Sequence, residues 1–434
     1  MIKKLVIVLI AAFAMQSYAQ EGTASPYSFY GIGSLKFKGT VENRSMGGLS
    51  IFTDSIHVNL RNPAGYAGTN LKTFNNESRP VKFAVGASYS SLNLESDSGS
   101  EKASTTTFDY FALSVPMGKF GFGFGLLPYT SVGYKLESIV DGDVKNRYRG
   151  EGGLNKAFTG LGYQINEKLS VGVEASYNFG NIQNSAIEIL YDDEGNIIQY
   201  QTREDNRSDL SGLNFNLGLT YKTMISDRLE LISGLTYTPK STINSNNTRS
   251  FSTIVINGQT NQEFVINTID ADLEADNLKT TELTLPSRLS FGAGIGAPRK
   301  WFLGAEYTIQ KTSEFSNPIF SIDNATFVDA STIALGGYFI PNYNSFSNYW
   351  KRATYRAGVH FENTGLKIND ETINEFGISF GVGLPVGGIF SNANLGFEIG
   401  KRGTTSQNLI QENFVNLQIS LSLNDRWFQK IKYN

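Results

Sequence analysis

Gly212-Leu213-Asn214-Phe215-Asn216-Leu217-Gly218-Leu219-Thr220-Tyr221 decides the fold class. Apolar side chains at 213, 215, 217, 219 and 221 alternate with Gly, Asn and Thr, a period of two that gives a strand one greasy and one polar face. Val415, Leu417, Ile419, Leu421 and Leu423 repeat the pattern against Asn416, Gln418, Ser420 and Ser422. So do Val171, Val173, Ala175, Tyr177 and Phe179 against Gly172, Glu174, Ser176, Asn178 and Gly180. Each run has about the 9–11 residues that a tilted strand needs to cross a bilayer, whereas strands of soluble sandwiches are nearer 5–6. The alternation therefore predicts an all-β transmembrane antiparallel barrel, lipid outside and a polar lumen within.

Composition agrees. Aromatics make up 12% of the 434 residues, Gly occurs 44 times and Cys never, so neither disulfides nor thiolate metal sites are available. A mean hydropathy of −0.21 is too polar for a bundle of membrane helices but suits a barrel whose strands are half polar. Lys3 and Lys4, the apolar run Leu5–Ala14 and Ser17-Tyr18-Ala19 form a secretory signal, 1–19, cleaved after about Ala19. Removing two lysines takes the net charge from −3 to −5, which gives no electrostatic case for nucleic acid. The expected address is the cell outer membrane, with its lipid as the first partner.

Turn residues divide the chain after residue 79 into about fourteen strands, centred near 87, 110, 124, 160, 174, 216, 235, 289, 306, 334, 357, 379, 397 and 418. Short connections fall at Pro116–Lys119, Asn166–Lys168, Ser226–Arg228, Pro298–Lys300 and Pro385–Asn392. Long polar ones fall at Ser96–Thr105, Ser138–Lys145, Tyr191–Asp209, Asn244–Asn277, Glu314–Asn324 and Gly403–Gln411. Short turns at one end and long loops at the other are the asymmetry of an outer-membrane barrel. Trp301-Phe302, Tyr349-Trp350 and Trp427-Phe428 stand at strand ends, where headgroups would meet amphipathic rings.

Residues 20–78 read differently. Ser25-Pro26-Tyr27-Ser28-Phe29-Tyr30-Gly31-Ile32-Gly33, Arg44-Ser45-Met46-Gly47-Gly48, Asp54 and Asn62-Pro63-Ala64-Gly65 are turn-rich and do not alternate. A segment of this size ahead of a wide barrel is expected to fill the lumen as a plug, leaving 79–434 for the barrel. The 44–48 run, the Asp54 region and the Asn62-Pro63-Ala64-Gly65 step resemble the FadL-type long-chain fatty-acid transporter family (FadL/TodX), including its PorV-like relatives of Bacteroidota. Leu285-Pro286-Ser287-Arg288-Leu289 is similar to a second element of that family. The resemblance implies a fourteen-strand barrel with a hatch built from Arg44, Met46, Gly47, Gly48, Asn62, Pro63 and Ala64.

Two constellations bear on function. Pro128, in Gly125-Leu126-Leu127-Pro128-Tyr129, lies within the third strand, where proline cannot donate to the ladder and a closed barrel has no edge to host it. A kink at Gly125, Leu127, Pro128 and Tyr129 is expected, with Gly121, Gly123 and Gly125 leaving the gap unfilled. The resemblance implies sideways release of apolar cargo there. Glu174, Glu306 and Glu398 recur on the Gly-side face of three strands and should point into the lumen. Buried carboxylates need partners, and Arg44 and Arg61 of the N-terminal segment are the candidates for seating it. Arg352, Arg356, His360 and Glu362 share the lumenal parity of another strand.

No catalytic residue, metal site or cofactor is expected. His57, beside Asp54 and Ser55, and His360 are the only histidines, and sequence neighbours seldom form a triad. The leading reading is a non-enzymatic barrel that takes up a hydrophobic, fatty-acid-like small molecule. The alternative is a membrane partner of a large outer-membrane secretion barrel, a PorV-like role in type IX secretion. The apolar stretch within Ser250–Ile269 serves either.

Overall fold

A computed structural model of the chain describes residues 22–54, 56–67, 80–140, 142–258, 260–319, 324–386 and 391–425. The expected signal segment, Ser55 and Trp427-Phe428 lie outside the described residues. The wall comprises fourteen strands. They are β1 (Val81–Ser96), β2 (Gly99–Met117), β3 in two runs (Phe120–Pro128 and Thr130–Val140), β4 (Asp143–Gln164) and β5 (Leu169–Glu188). Next come β6 (Gln201–Met224), β7 in two runs (Glu230–Thr238 and Ser241–Ile256), β8 in two runs (Thr280–Leu285 and Arg288–Ala297) and β9 (Trp301–Gln310). The last are β10 in two runs (Ala325–Phe327 and Ala330–Phe339), β11 (Thr354–Ile368), β12 (Glu371–Pro385), β13 (Asn392–Arg402) and β14 (Gln411–Asp425). Each pairs antiparallel with its neighbours in sequence, and β14 closes on β1 through registers such as Val85↔Leu421. Every predicted strand centre falls within one of these strands.

The two faces follow the period of two. On β6, Leu213, Phe215 and Leu217 are exposed outward while Asn214, Asn216 and Thr220 are buried. β5 and β14 do the same with Val173 and Tyr177 against Glu174 and Ser176, and with Leu417 and Ile419 against Gln418 and Ser420. Polar residues thus sit inside and apolar ones outside, the reverse of a soluble protein, so the outer face is a surface for lipid.

The wall is uneven in height. β4, β5 and β6 run for 22, 20 and 24 residues, whereas β9 has only 10. Four expected loops are therefore wholly or partly strand, for residues 201–209 of the expected loop Tyr191–Asp209 belong to β6 and residues 244–256 of Asn244–Asn277 to β7. Ser96 pairs with Gly99, and Val140 with Asp143, across tight turns, so residues 96, 99–105, 138–140 and 143–145 are ladder that has left the apolar band. An extra strand, Glu263–Asp270, folds back on the end of β7 with Phe264, Val265, Ile266 and Ile269 exposed.

The N-terminal segment has little regular structure: a 3₁₀ turn at Pro26–Phe29, a two-residue strand at Ser34–Leu35, one helical turn at Val41–Arg44 and a 3₁₀ turn at Pro63–Ala67. The helical turn touches β12, β13 and β14, and the Pro63–Ala67 turn touches β2 to β6. Contacts with both sides of the cylinder put residues 40–54 and 56–67 against its inner face.

Candidate functional site

Apolar packing fixes the segment first. Met46, Leu49 and Ile51 are buried with Ile232, Phe302 and Ala334, and Val58, Leu60 and Tyr66 with Tyr110, Ala112, Leu127 and Phe158. Phe302 is thus a lumenal core residue, stacked near Phe52 and Tyr338, and not the interfacial ring its strand-end position suggested. Arg352 also departs from its expected parity: it is exposed before β11, its guanidinium over the Tyr349 ring.

Close backbone approach needs glycine on both surfaces. Gly47 has φ +71°, its N–H donates to Ser379 Oγ at 2.9 Å, and a Cβ there would lie 2.6 Å from Val359 O. Opposite, a Cβ on Gly358 would lie 2.7 Å from Met46 O. Gly48 carries φ +89° and turns the chain toward Arg61. Asn62 Nδ2 donates to Leu219 O at 3.1 Å and Thr220 Oγ1 at 3.2 Å, while its Oδ1 accepts from Ala64 N–H at 3.0 Å. Pro63 packs where a Cβ on Gly218 would otherwise stand, and Ala64 is fully buried. Gly121 and Gly123 face Tyr66 and Gly125 faces Phe158; they make room for neighbours inside the wall, not for a hole in it.

Charges come next. Arg44 Nη2 lies 2.8 Å from Glu398 Oε2, and Arg61 Nη2 lies 2.9 Å from Glu306 Oε1. Glu306 Oε2 also accepts from the N–H and Oγ of Ser50 at 2.6 and 2.9 Å. Glu174 takes a partner from the wall itself, Lys156 at 2.8 Å, and Tyr66 Oη stands 3.4 Å away. Lys38 bridges Glu362 at 3.3 Å and Glu375, which also receives Arg402 and, at 3.1 Å, His360 Nε2. Lys36, Lys38, Lys156 and Arg402 escaped the sequence reading. Lys156 alone carried a signal, since a lysine in a membrane strand must face inward. Arg356 and His360 are buried on the lumenal side.

His57 lies beneath. Its Nδ1 is 2.7 Å from Asp54 Oδ2 and its Nε2 is 3.6 Å from Glu42 Oε1. Burial would raise the Asp54 carboxyl, but the His57 ring and Lys82 hold it far below its ordinary range.

Above the segment lies a cavity of about 230 Å³. Gly47 and Gly48 floor it, Arg61, Glu306 and Glu398 give it a charged wall with the His360 ring beside them, and Tyr30, Ile32, Leu285, Phe315, Phe327 and Leu366 give it an apolar one. Tyr129 and Thr130 of β3 and Pro286 and Arg288 of β8 complete it.

Beside the cavity the wall is incomplete. β2 and β3 pair from Met117↔Phe120 to Phe111↔Leu126 and no further. Above that, the residues of β2 from Gly99 to Tyr110 pair only with β1, and Val132–Val140 of β3 pair only with β4. The break falls at Pro128-Tyr129, between the two runs of β3. Ser34 and Leu35 take the vacated ladder positions at Ser131 and Thr130, and Lys36 N–H donates to Tyr129 O at 2.9 Å. A two-residue strap thus covers the start of the gap from within.

The family model described as BamG matches residues 1–434. Among solved structures the fold is similar to a Pseudomonas aeruginosa FadL homologue, with TM-score 0.57 and 14% identity over 90% of this chain and 99% of that one. It is also similar to the Pseudomonas putida toluene transporter TodX, with TM-score 0.56, 15% identity and coverages of 91% and 99%. The CymD monoaromatic hydrocarbon channel matches with TM-score 0.51, 15% identity and coverages of 88% and 97%. No curated protein matches the chain in sequence.

Proposed function

The chain belongs to the BamG family, and from that premise and the geometry of its wall we propose that it conducts a hydrophobic small molecule across the outer membrane and releases it sideways beside β3. The observation that carries the proposal is the loss of pairing between β2 and β3 above Phe111↔Leu126, next to a cavity with an apolar side. Unpaired ladder inside a bilayer is costly unless it is covered, and the Ser34–Leu35 strap is the cover. Residues 22–67 act as the plug: Arg44 and Arg61 seat it on Glu398 and Glu306, and Gly47 lets it approach the wall. The toluene and monoaromatic hydrocarbons named for similar structures support cargo that is small and apolar.

The test is uptake of tritiated toluene and of a tritiated medium-chain fatty acid by cells that make the protein and by cells that lack it. Faster uptake of either in the former is expected; equal rates for both would overturn the conduit. A second reading, a membrane partner of a large secretion barrel, is favoured by the exposed Phe264, Val265, Ile266 and Ile269 on the return strand. Co-purification of such a barrel, lost on replacing these four with serine, is its test.

A further inference from the structure

Above the apolar band the tall strands β4, β5 and β6 keep their register, so the side chains that face lipid lower down continue to point outward. On β5 the outward series runs from Tyr177 and Phe179, exposed and stacked, to Gln183 and Ser185. On β6 it runs from Leu213 and Phe215 to Arg207, Asp205 and Arg203. Register partners share a face, and Arg149 of β4, Ser185, Asp205 and Ser250 of β7 make one such row. These side chains line a recess on the outside of the wall of about 460 Å³, twice the volume of the lumenal cavity.

Side chains fix its edges. Glu263, at the start of the return strand, lies 3.1 Å from Arg149 Nη1 and 3.2 Å from Arg203 Nη1, so one carboxylate ties strands on either side of β5. Asp205 takes Arg203 Nε at 2.8 Å, and Asp209 takes Arg207 Nη2 at 2.8 Å. Ile187, Ile189 and Ile254 are buried together at the upper end. Among the described residues, Arg149 meets an acid through Nη1 alone and Arg203 through Nε and Nη1, so planar N–H donors remain on both. The lining cations Lys135, Arg149, Arg203 and Arg207 outnumber the lining acids Glu151, Asp205 and Glu263 by four to three. Exposed ion pairs contribute little, so an anion of better geometry can take these donors, and a phosphate matches the guanidinium fork. Gln183, Ser185, Thr248 and Ser250 add neutral donors and acceptors, the complement of hydroxyl groups.

Height selects the occupant. The recess is at the end opposite the short turns Asn166–Lys168 and Ser226–Arg228, the end an outer-membrane barrel turns to the outside. Gln183 stands four residues beyond Phe179, the last outward ring of β5. That is about 13 Å along a strand, and about 10 Å along the membrane normal at a tilt of ~40°. A phospholipid head reaches only about 5–8 Å beyond the hydrocarbon, short of the recess, whereas a sugar head is larger and spans it. We propose that the recess holds the phosphorylated sugar head of an outer-leaflet glycolipid, whose acyl chains lie on Tyr177, Phe179, Leu213 and Phe215 below. The site is outside the barrel and does not depend on what the lumen carries.

The experiment titrates the full chain in a non-ionic detergent and counts retained molecules by native mass spectrometry. The probes are a hexa-acyl glucosamine disaccharide carrying two phosphates, the same lipid without phosphates, and the soluble disaccharide bisphosphate without acyl chains. Wild-type protein is expected to hold the phosphorylated glycolipid at least tenfold more tightly than either of the others. Arg149→Gln with Arg207→Gln should lower that affinity at least tenfold. Arg207→Gln alone, whose partner Asp209 is itself exposed, should lower it at least threefold. Lys168→Gln with Arg228→Gln, the same loss of charge at exposed turns of the opposite end, should leave it within twofold. Retention of the heat-modifiable electrophoretic shift shows that each variant is folded. An unchanged affinity in the Arg149 and Arg207 variants, or an equal loss in the Lys168 and Arg228 variant, overturns the site. Equal binding of the lipid without phosphates overturns the phosphate contact. Equal binding of the soluble disaccharide bisphosphate overturns the lipid source and makes this a free-glycan site. Displacement of the glycolipid by inorganic phosphate as readily as by the soluble disaccharide bisphosphate overturns the sugar. Retention of no probe by the wild type overturns the whole proposal.

Discussion

Arg61→Met measures the seating of the N-terminal segment most directly. One guanidinium ties the segment to itself, through the carbonyl of Gly48, and to the wall, through Glu306 at 2.9 Å. Methionine keeps most of the aliphatic stem and removes the charge, so the perturbation is electrostatic and not a cavity. Glu306 is left in place with its side chain 2% exposed. Removing one partner of a buried pair costs about 3–5 kcal/mol. Two features pull the value toward the low end: Ser50 still donates twice to Glu306, and the adjoining 230 Å³ cavity admits water. A loss of about 3 kcal/mol raises the opened population of the segment roughly a hundredfold.

Limited proteolysis reads that population when closing outpaces cleavage, because the barrel resists digestion while residues 40–67 become cleavable on opening. The control is Arg61→Met with Glu306→Gln, which removes both charges. It should be less damaging than the sum of the single changes by about 2 kcal/mol, the signature of a coupled pair. Cleavage of Arg61→Met at the wild-type rate, or a double variant no better than the sum, would refute the reasoning.

Three further outcomes follow from the same geometry. The chain has no native cysteine, and Ser34 and Ser131 are register partners, so Ser34→Cys with Ser131→Cys should form a disulfide that locks the strap; uptake should stop when oxidised and return on reduction, and uninterrupted uptake in the oxidised form speaks against a moving strap. Pro128→Val restores an N–H donor at the break and should slow uptake severalfold without lowering the unfolding temperature of the barrel; wild-type rates count against a role for the kink. Burial pushes the Lys36 ammonium down to about 8, with Asp109 raising it and Arg44 lowering it, among Lys38, Glu375, Glu398, Arg402 and Glu412. Lys36 is charged below that pH and neutral above it, so its labelling by an amine-reactive reagent should rise as pH passes through about 8, ahead of exposed lysines; labelling that rises only with theirs counts against this burial.

The cylinder was legible because its signal is local: each apolar-polar alternation reports one strand and one face. What leaves the bilayer lost that signal. The upper parts of β1 to β4 carry polar residues on both faces, so Ser96–Thr105 and Ser138–Lys145 read as loops although the ladder continues to the tight turns. Phe302 misled for the complementary reason, as an aromatic at a strand end fits a headgroup belt or a packed plug equally well until its neighbours are known. Inward parity drew attention to Glu174, Glu306 and Glu398, but not to which cation each would meet. Arg44 with Glu398 and Arg61 with Glu306 are separated by hundreds of residues, and only the folded path of the N-terminal segment chooses between them. Lys36 and Lys38 lie in that irregular path, where no period marks a side. Arg288 drew notice only through the Leu285–Leu289 resemblance; its place in the cavity wall is visible only once the lumen is assembled.

In the proposed conduit, the relative strengths of the N-terminal segment's seat and of the strap would decide which way cargo leaves. An axial route displaces residues 40–67, and with them Met46, Leu49, Ile51, Val58 and Leu60, all nearly fully buried. At about 1.5–3 kcal/mol for each such side chain that alone is of order 10 kcal/mol, before the Arg44–Glu398 and Arg61–Glu306 pairs are broken. Ser34 and Leu35 themselves are held by two register positions and the Lys36 N–H bond to Tyr129, while the flanks are anchored by Ile32 and Phe37 packed on the wall and by Lys38 on Glu362 and Glu375. At about 0.5–1.5 kcal/mol net for each hydrogen bond, local release of Ser34 and Leu35 with their flanks left anchored costs a few kcal/mol, the range in which a minor state is populated at about the per cent level. On the proposed reading, local release of Ser34 and Leu35 is therefore an easier opening than unseating residues 40–54 and 56–67. What it would uncover is the stretch of wall where β2 and β3 no longer pair, which is why the proposed conduit is given a sideways exit.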